Sequence, residues 1–489
     1  MKKLSVILIC VFLIILSIPS FSALKVERLR FNNPDFIKGM DISSVISLEN
    51  SGVKFYGFDG KESDIFKILS ENGVNYIRVR VWNNPFDKDK NGYGGGNNDV
   101  KTACEIGRRA AKYNMKLLVN FHYSDFWADP GKQKAPKEWE NLTLDEKCEK
   151  LSLFTSNSLN EIKSAGANIG MVQIGNETNS GIAGEYTSEN TAKIFKRASE
   201  AVREFDGKIK IAVHFTNPEK TETIKYFADF LNEYSIDYDV FAVSYYPYWH
   251  GSLSNLTSVL DYAAEKYGKY TMVAETSYAN TLKDTDGHPN TVSENSNNSG
   301  ENLLWDFSLQ GQADEFRAVA KSVNNVKNGK GLGVFYWEGA WITVGDISGL
   351  SEQEYSIRLE NNKTLWEKYG SGWASSFSVE YDPDDAGEWY GGSAVDNQAF
   401  FDSEGKALSS LKVFKYIDKE MILGDTDDSE TVNIRDATLI QKFLVQLKDI
   451  NETAADVDGD GVVTVKDASA IQHYIAKIKT DYPINKVMD

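Results

Sequence analysis

Two glutamates each stand just past a short apolar run. Glu177 closes Met171-Val-Gln-Ile-Gly-Asn-Glu177, and Glu275 closes Tyr270-Thr-Met-Val-Ala-Glu275. A carboxyl group at such a point leaves the core and meets solvent. Two of them fit the pair that cleaves a glycosidic bond, one protonated to assist the leaving oxygen and one ionised to attack the anomeric carbon. Asn176 offers an amide to a sugar hydroxyl beside Glu177, so Glu177 reads as general acid/base and Glu275 as nucleophile. The pair alone reads equally well as two solvated loop carboxylates.

Other apolar runs end in residues that suit a sugar cleft. They are Arg78-Val-Arg80-Val-Trp82, Phe121-His-Tyr-Ser-Asp-Phe-Trp-Ala-Asp-Pro130, Ser244-Tyr-Tyr-Pro-Tyr-Trp-His250 and Tyr336-Trp-Glu-Gly-Ala-Trp341. Arg80 is expected to keep the nucleophile ionised through nearby positive charge, and Tyr246 to hydrogen-bond the same carboxylate. Trp337 and Trp249 supply flat rings for sugar faces, and His122 and His214 are expected to contact substrate. Glu338 is a rival carboxylate to Glu275.

These positions need a scaffold that gathers strand ends. From Phe36 to Tyr336, eight apolar strand candidates alternate with amphipathic helical patterns, which predicts a (β/α)8 TIM barrel. A doubly wound open sheet is the alternative. It explains less well why polar and aromatic residues follow nearly every strand. Long loops at Trp82–Asn98, Tyr278–Glu301 and Gly370–Asp402 fit a functional rim.

The 489 residues allow one large domain and one small one. The net charge of −18 argues against nucleic acid as a partner. Lys2 and Lys3, the apolar run Leu4–Ile18 and Ser20-Phe-Ser22 read as a secretory signal over residues 1–22, with a membrane anchor as the alternative. After cleavage no membrane segment remains, and Cys104 and Cys148 are expected as free thiols.

The motifs Gly39-Met-Asp-Ile-Ser-Ser44, Arg80-Val-Trp82, His122-Tyr-Ser-Asp-Phe-Trp-Ala-Asp-Pro130, Gly175-Asn-Glu177, Ser244-Tyr-Tyr-Pro247 and Ala274-Glu-Thr-Ser-Tyr278 resemble glycoside hydrolase family 53, the arabinogalactan endo-β-1,4-galactanases. The resemblance implies a retaining barrel enzyme over residues 23–417, with Glu177 and Glu275 in the roles above and β-1,4-galactan as substrate. The polymer comes from the resemblance alone. A β-glycanase acting on mannan and a non-catalytic glycan-binding protein are the other readings.

Two further patterns read as metal sites. Asp284-Thr-Asp286-Gly-His288-Pro-Asn290 places ligands at alternate positions of a polar loop, and family resemblance adds Ser393 and Asp396 and implies one structural Ca2+. Near the C-terminus, Asp456, Asp458, Asp460, Thr464 and Asp467 occupy positions 1, 3, 5, 9 and 12 of a calcium loop, with Gly461 at position 6. An earlier copy has Asp425, Asp427, Ser429, Asn433 and Asp436, with Glu430 in place of the glycine. Each loop has one helical pattern after it.

The duplicate resembles a dockerin. This implies an all-α module over 424–485 with up to two Ca2+, and a cohesin-bearing scaffold as partner. Ile434-Arg435 and Val465-Lys466 are expected to carry partner choice. The whole reads as a secreted, extracellular enzyme with a monomeric barrel, held on a multi-enzyme complex.

Overall fold

Eight parallel strands close into a barrel in chain order. They are β1 (Ile37–Asp41), β2 (Tyr76–Val81), β3 (Lys116–Phe121), β4 (Ile169–Ile174), β5 (Lys210–Phe215), β6 (Val240–Ser244), β7 (Tyr270–Thr276) and β8 (Gly331–Tyr336), with β8 pairing back onto β1. This is the (β/α)8 architecture expected from the sequence. The computed structural model describes residues 21–294, 303–388 and 390–488. The apolar run Leu4–Ile18 and Ser20 of the signal reading lie outside these residues, as does the end of the Tyr278–Glu301 loop.

Among the helices that link the strands are α1 (Ile65–Glu71), α2 (Val100–Lys112), α3 (Leu144–Ser164), α4 (Ser188–Phe205), α5 (Thr221–Glu233), α6 (Leu253–Tyr267) and α7 (Leu309–Asn324). A further helix, α8 (Glu352–Tyr369), follows β8. Side-chain caps start most of them, for example Asp99 on Thr102 N for α2 and a Thr143/Glu146 capping box for α3.

The barrel interior is filled by Ile37, Tyr76, Leu118, Met171, Ala212, Ala242, Met272 and Phe335. Phe335 occupies so much of the axis that a Cβ on Gly39 would lie 2.2 Å from its ring, which explains the glycine in β1. Above this apolar floor, the inward positions turn polar.

The strand β7 carries the irregularity that matters most. Val243 pairs with Val273 but Ser244 pairs with Glu275, and Val273 pairs with Val334 but Thr276 with Tyr336. One extra residue is therefore inserted near Ala274. Regular alternation would send Glu275 outward, since Met272 and Ala274 both belong to the inner core. The bulge turns it inward.

The barrel unit spans residues 26–419; residues 420–488 form a second unit together with residues 21–25. The second unit holds α9 (Ile434–Leu444) and α10 (Val465–Ile475). Ala437, Ile440, Leu444, Ala468, Ile471 and also Ala23 make its core. Ala23–Lys25 thus belong here, whereas the sequence reading began the catalytic domain at residue 23. Phe21–Ser22 pair antiparallel with Val462–Val463. Cys104 and Cys148 are free thiols, and no helix among the described residues is long and apolar enough to cross a membrane.

Candidate active site

The strand ends surround a cleft of about 200 Å³ that is lined by both Glu177 and Glu275. Glu177 sits in a sharp turn after β4. Gly175 has φ +90°, and a Cβ there would lie 2.6 Å from the Thr178 methyl, while Glu177 itself has φ +44°. Left-handed backbone at a non-glycine residue costs energy and recurs where function demands a particular side-chain aim. Tyr123 after β3 and Glu338 after β8 share it.

The environments of the two carboxyls differ. Glu177 Oε1 accepts from Ser244 Oγ at 2.6 Å. Ser244 Oγ in turn accepts from His214 Nε2 at 2.9 Å, and His214 Nδ1 accepts from Gln173 Nε2 at 3.0 Å and from the Glu177 amide at 3.3 Å. Burial and the charge of Glu275 push the Glu177 carboxyl up to about 8. Burial also raises Glu275, but Arg78 and Tyr246 oppose this. Arg78 donates to Glu275 Oε1 at 2.8 Å, and the Tyr246 hydroxyl donates to Oε2 at 3.0 Å.

Arg78 and Arg80 divide the work differently from the sequence reading. Arg78 bridges Glu275 and Asp41, with Nη1 2.9 Å from Asp41 Oδ2. Arg80 lines the cleft but pairs with Glu338, which also accepts from Ser44 Oγ at 2.6 Å. The register explains this. Arg78 lies opposite Asp41 in the ladder, and Arg80 lies one layer further up, towards the Glu338 turn. Glu338 is fully buried in this pairing and does not line the cleft, so the rival carboxylate is sequestered.

The histidines also separate. His122 lines the cleft, and its Nδ1 accepts from Trp82 Nε1 and the Ala128 amide, both at 3.2 Å. That network leaves the proton on Nε2. Burial and the two arginines hold His122 far below the usual imidazole range, so the ring is neutral. His214 is instead fully buried behind Ser244 and does not line the cleft, contrary to the expected substrate contact. The turn after β4 covers it, with the Thr178 amide bonded to the His214 carbonyl at 2.9 Å.

Asn176 lines the cleft with its amide already engaged: Oδ1 accepts from Arg78 at 2.9 Å and Nδ2 donates to the Ala128 carbonyl at 2.9 Å. Trp249, Tyr246 and Trp337 also line it. Sequence reasoning missed Trp127 and Trp373, whose stacked rings lie 4.7 Å apart, with Arg80 4.4 Å over Trp127. Trp127 stood within a quoted motif, but Trp373 lies in a long loop with no local signal.

Beside the rim, carboxylate oxygens of Asp284, Asp286 and Asp396 lie within 4.8 Å of one another. Asn290 Nδ2 donates to Asp396 Oδ1 at 2.6 Å, and Asn290 Oδ1 is buried without a hydrogen-bond partner. Burial and Asp396 push Asp286 well above the carboxylate range. His288 and Ser393 are buried against the same loops, and the Ser393 amide donates to Asp286 Oδ2 at 2.7 Å. Converging acids with an unpaired amide oxygen form a donor set suited to a hard cation.

In the C-terminal unit, Asp425, Asp427 and Asp436 converge, as do Asp456, Asp458 and Asp460. Asp427 Oδ1 and Asp456 Oδ1 are buried without hydrogen-bond partners, which fits cation ligands. Asn433 and Thr464 cap α9 and α10. Asp467 accepts four hydrogen bonds, from Val457 N, Asp458 N, Thr464 N and Thr464 Oγ1, which tie its carboxylate to the second acidic loop. Ser429 Oγ lies 3.4 Å from Asp425 Oδ1.

A (β/α)8 barrel with a carboxylate pair in an aromatic cleft defines the class, a glycoside hydrolase. The family model for glycosyl hydrolase family 53 matches residues 37–414, and that for the dockerin type I domain matches 423–476. An endo-beta-1,4-galactanase of Bacillus subtilis (strain 168) is 55% identical over 391 residues, covering 80% of this chain and 88% of that one. An arabinogalactan endo-beta-1,4-galactanase of Humicola insolens is 32% identical, covering 62% and 90%. The solved GH53 catalytic domain of Ignisphaera aggregans matches with a TM-score of 0.70 and 34% identity, covering 81% and 100%. The chain belongs to glycosyl hydrolase family 53 and carries a C-terminal dockerin domain.

Proposed function

We propose that this protein is a secreted, endo-acting β-1,4-galactanase that cleaves pectic arabinogalactan with retention and docks through its C-terminal module onto a cohesin scaffold. The observation that carries the reading is the unequal treatment of two carboxyls on one cleft. Glu177 keeps its proton to about pH 8 and can protonate the leaving oxygen, while Arg78 and Tyr246 bind the charge that Glu275 needs for attack.

In the first step the Glu275 carboxylate attacks the anomeric carbon and Glu177 gives its proton to the departing sugar. In the second step Glu177, now ionised, takes a proton from water, which displaces Glu275 with a second inversion. His122 presents Nε2–H to a hydroxyl, Trp337 faces the sugar at the cleavage point, and Trp249 extends the aromatic surface.

The named activity of the Bacillus subtilis relative supports the choice of polymer. The dockerin match supports the scaffold and an extracellular place of work. We assign one structural Ca2+ to the Asp284/Asp286/His288/Asn290/Ser393/Asp396 loops and up to two to the dockerin. Reducing-end release from purified galactan, with first products formed in the β configuration by NMR, is the expected result. Cleavage of mannan but not galactan overturns the substrate, and α products overturn retention. Glu275→Ala is expected to lose turnover by roughly 10⁴-fold while still binding galacto-oligosaccharide.

A further inference from the structure

The N-terminal segment has a destination that the barrel does not explain. After the described strand Phe21–Ser22 pairs with Val462–Val463, the Ala23 amide donates to the Gly461 carbonyl at 3.0 Å. Ala23 is buried in the core of the C-terminal unit, and Leu24 is 4% exposed. Thr453 Oγ1 donates to the Leu24 carbonyl, and Lys25 Nζ reaches the Gly459 carbonyl at 3.3 Å and Asp456 Oδ2 at 3.2 Å.

Every one of these contacts falls on or beside the second acidic loop. Gly461 is held from both sides, since its own amide donates to Asp456 Oδ2 at 3.0 Å. Asp456 therefore has its two oxygens in different employment. Oδ2 takes Gly461 and Lys25, whereas Oδ1 is buried without a hydrogen-bond partner and so stays available to a cation. Partners on the outer oxygen of a ligand fix its aim and tune metal affinity. Lys25 is half exposed and screened by water, so the backbone bonds and the buried Ala23 and Leu24 carry most of the fastening.

We propose that residues 23–25, the start of the mature chain, are a strap that completes the second calcium loop, so that calcium binding there and fastening of the N-terminal segment are one coupled event. The proposal rests on reading that loop as a calcium site. A calcium module excised at residue 420 lacks the strap and is expected to bind the ion more weakly. By linkage, calcium must tighten the strap by the same factor by which the strap tightens calcium.

Amide hydrogen exchange on the full mature chain, followed against calcium concentration, tests this. Calcium is expected to slow exchange of residues 24–25 and 456–467 together, with one midpoint. Leu24→Ala, acting from the strap, and Thr453→Val, acting from the module, are each expected to move that midpoint to about tenfold higher calcium. Exchange at 24–25 that ignores calcium overturns the strap even if a variant fails to fold, because it is read on the unmodified chain. An unchanged midpoint in both folded variants overturns it as well. If the unmodified chain shows no calcium response at 456–467, the calcium reading of the loop falls and the strap falls with it.

Discussion

Arg78 and Glu275 meet at 2.8 Å, both almost wholly out of water, and the same guanidinium holds Asp41 at 2.9 Å. With Arg80 and Glu338 the series Glu275–Arg78–Asp41–Arg80–Glu338 alternates in sign beneath the cleft. Removing one member strands its neighbours. Arg78→Met leaves two buried carboxylates without their main counter-charge, at a cost of roughly 3–5 kcal/mol in folding stability. In whatever fraction folds, the Glu275 carboxyl is expected to rise by about 1–3 pH units, which moves the acid limb of kcat/KM upward. An acid limb that stays in place would assign the ionisation of Glu275 to other groups.

The proposed mechanism assigns the basic limb to Glu177. A general acid must hold its proton, so activity is expected to fall as pH rises through about 8, the value to which burial and Glu275 push this group. The Ser244 hydroxyl favours the ionised form by donating to it. Ser244→Ala is therefore expected to shift the basic limb upward by about one unit. A downward shift in the pH–rate profile would contradict donation from Ser244 to Glu177.

Calcium removal should act on stability before chemistry. Asp284, Asp286 and Asp396 repel one another when no cation lies between them. Chelation, or Asp396→Asn, is expected to lower the thermal midpoint of the barrel by several degrees, as a loss of about 1–2 kcal/mol would in a domain of this size. Activity at temperatures well below that midpoint should persist, and differential scanning calorimetry with and without chelator checks it.

The first dockerin loop has a correctable fault. Glu430 stands at φ +64° where the second loop has Gly461 at φ +88°. A non-glycine residue there costs about 1 kcal/mol. Glu430→Gly is expected to stabilise the C-terminal unit by that amount, read as a rise in its unfolding midpoint at fixed calcium.

Strand positions, and the two glutamates that share the cleft, were legible in the chain because short-range signals carry them. Apolar runs of five or six residues declare buried strands, and the residues just beyond such a run must stand at the barrel mouth. The acidic loops were legible for the same reason, since alternate acids over twelve residues are a local device. What the sequence could not assign was which inward side chain meets which. Arg78 and Arg80 are two residues apart with the same chemistry, and only the register of β2 against β1 gives Glu275 to the first and Glu338 to the second. His214 looked like a ligand for sugar until the turn after β4 closed over it. Alternation alone would have pointed Glu275 away from the cleft, and the bulge in β7 decides otherwise. Composition and local pattern thus set the fold, the class and the carboxylates. Register, bulges and the return of residues 21–25 to the distant end of the chain depend on contacts between segments far apart in sequence, and the folded structure alone determines them.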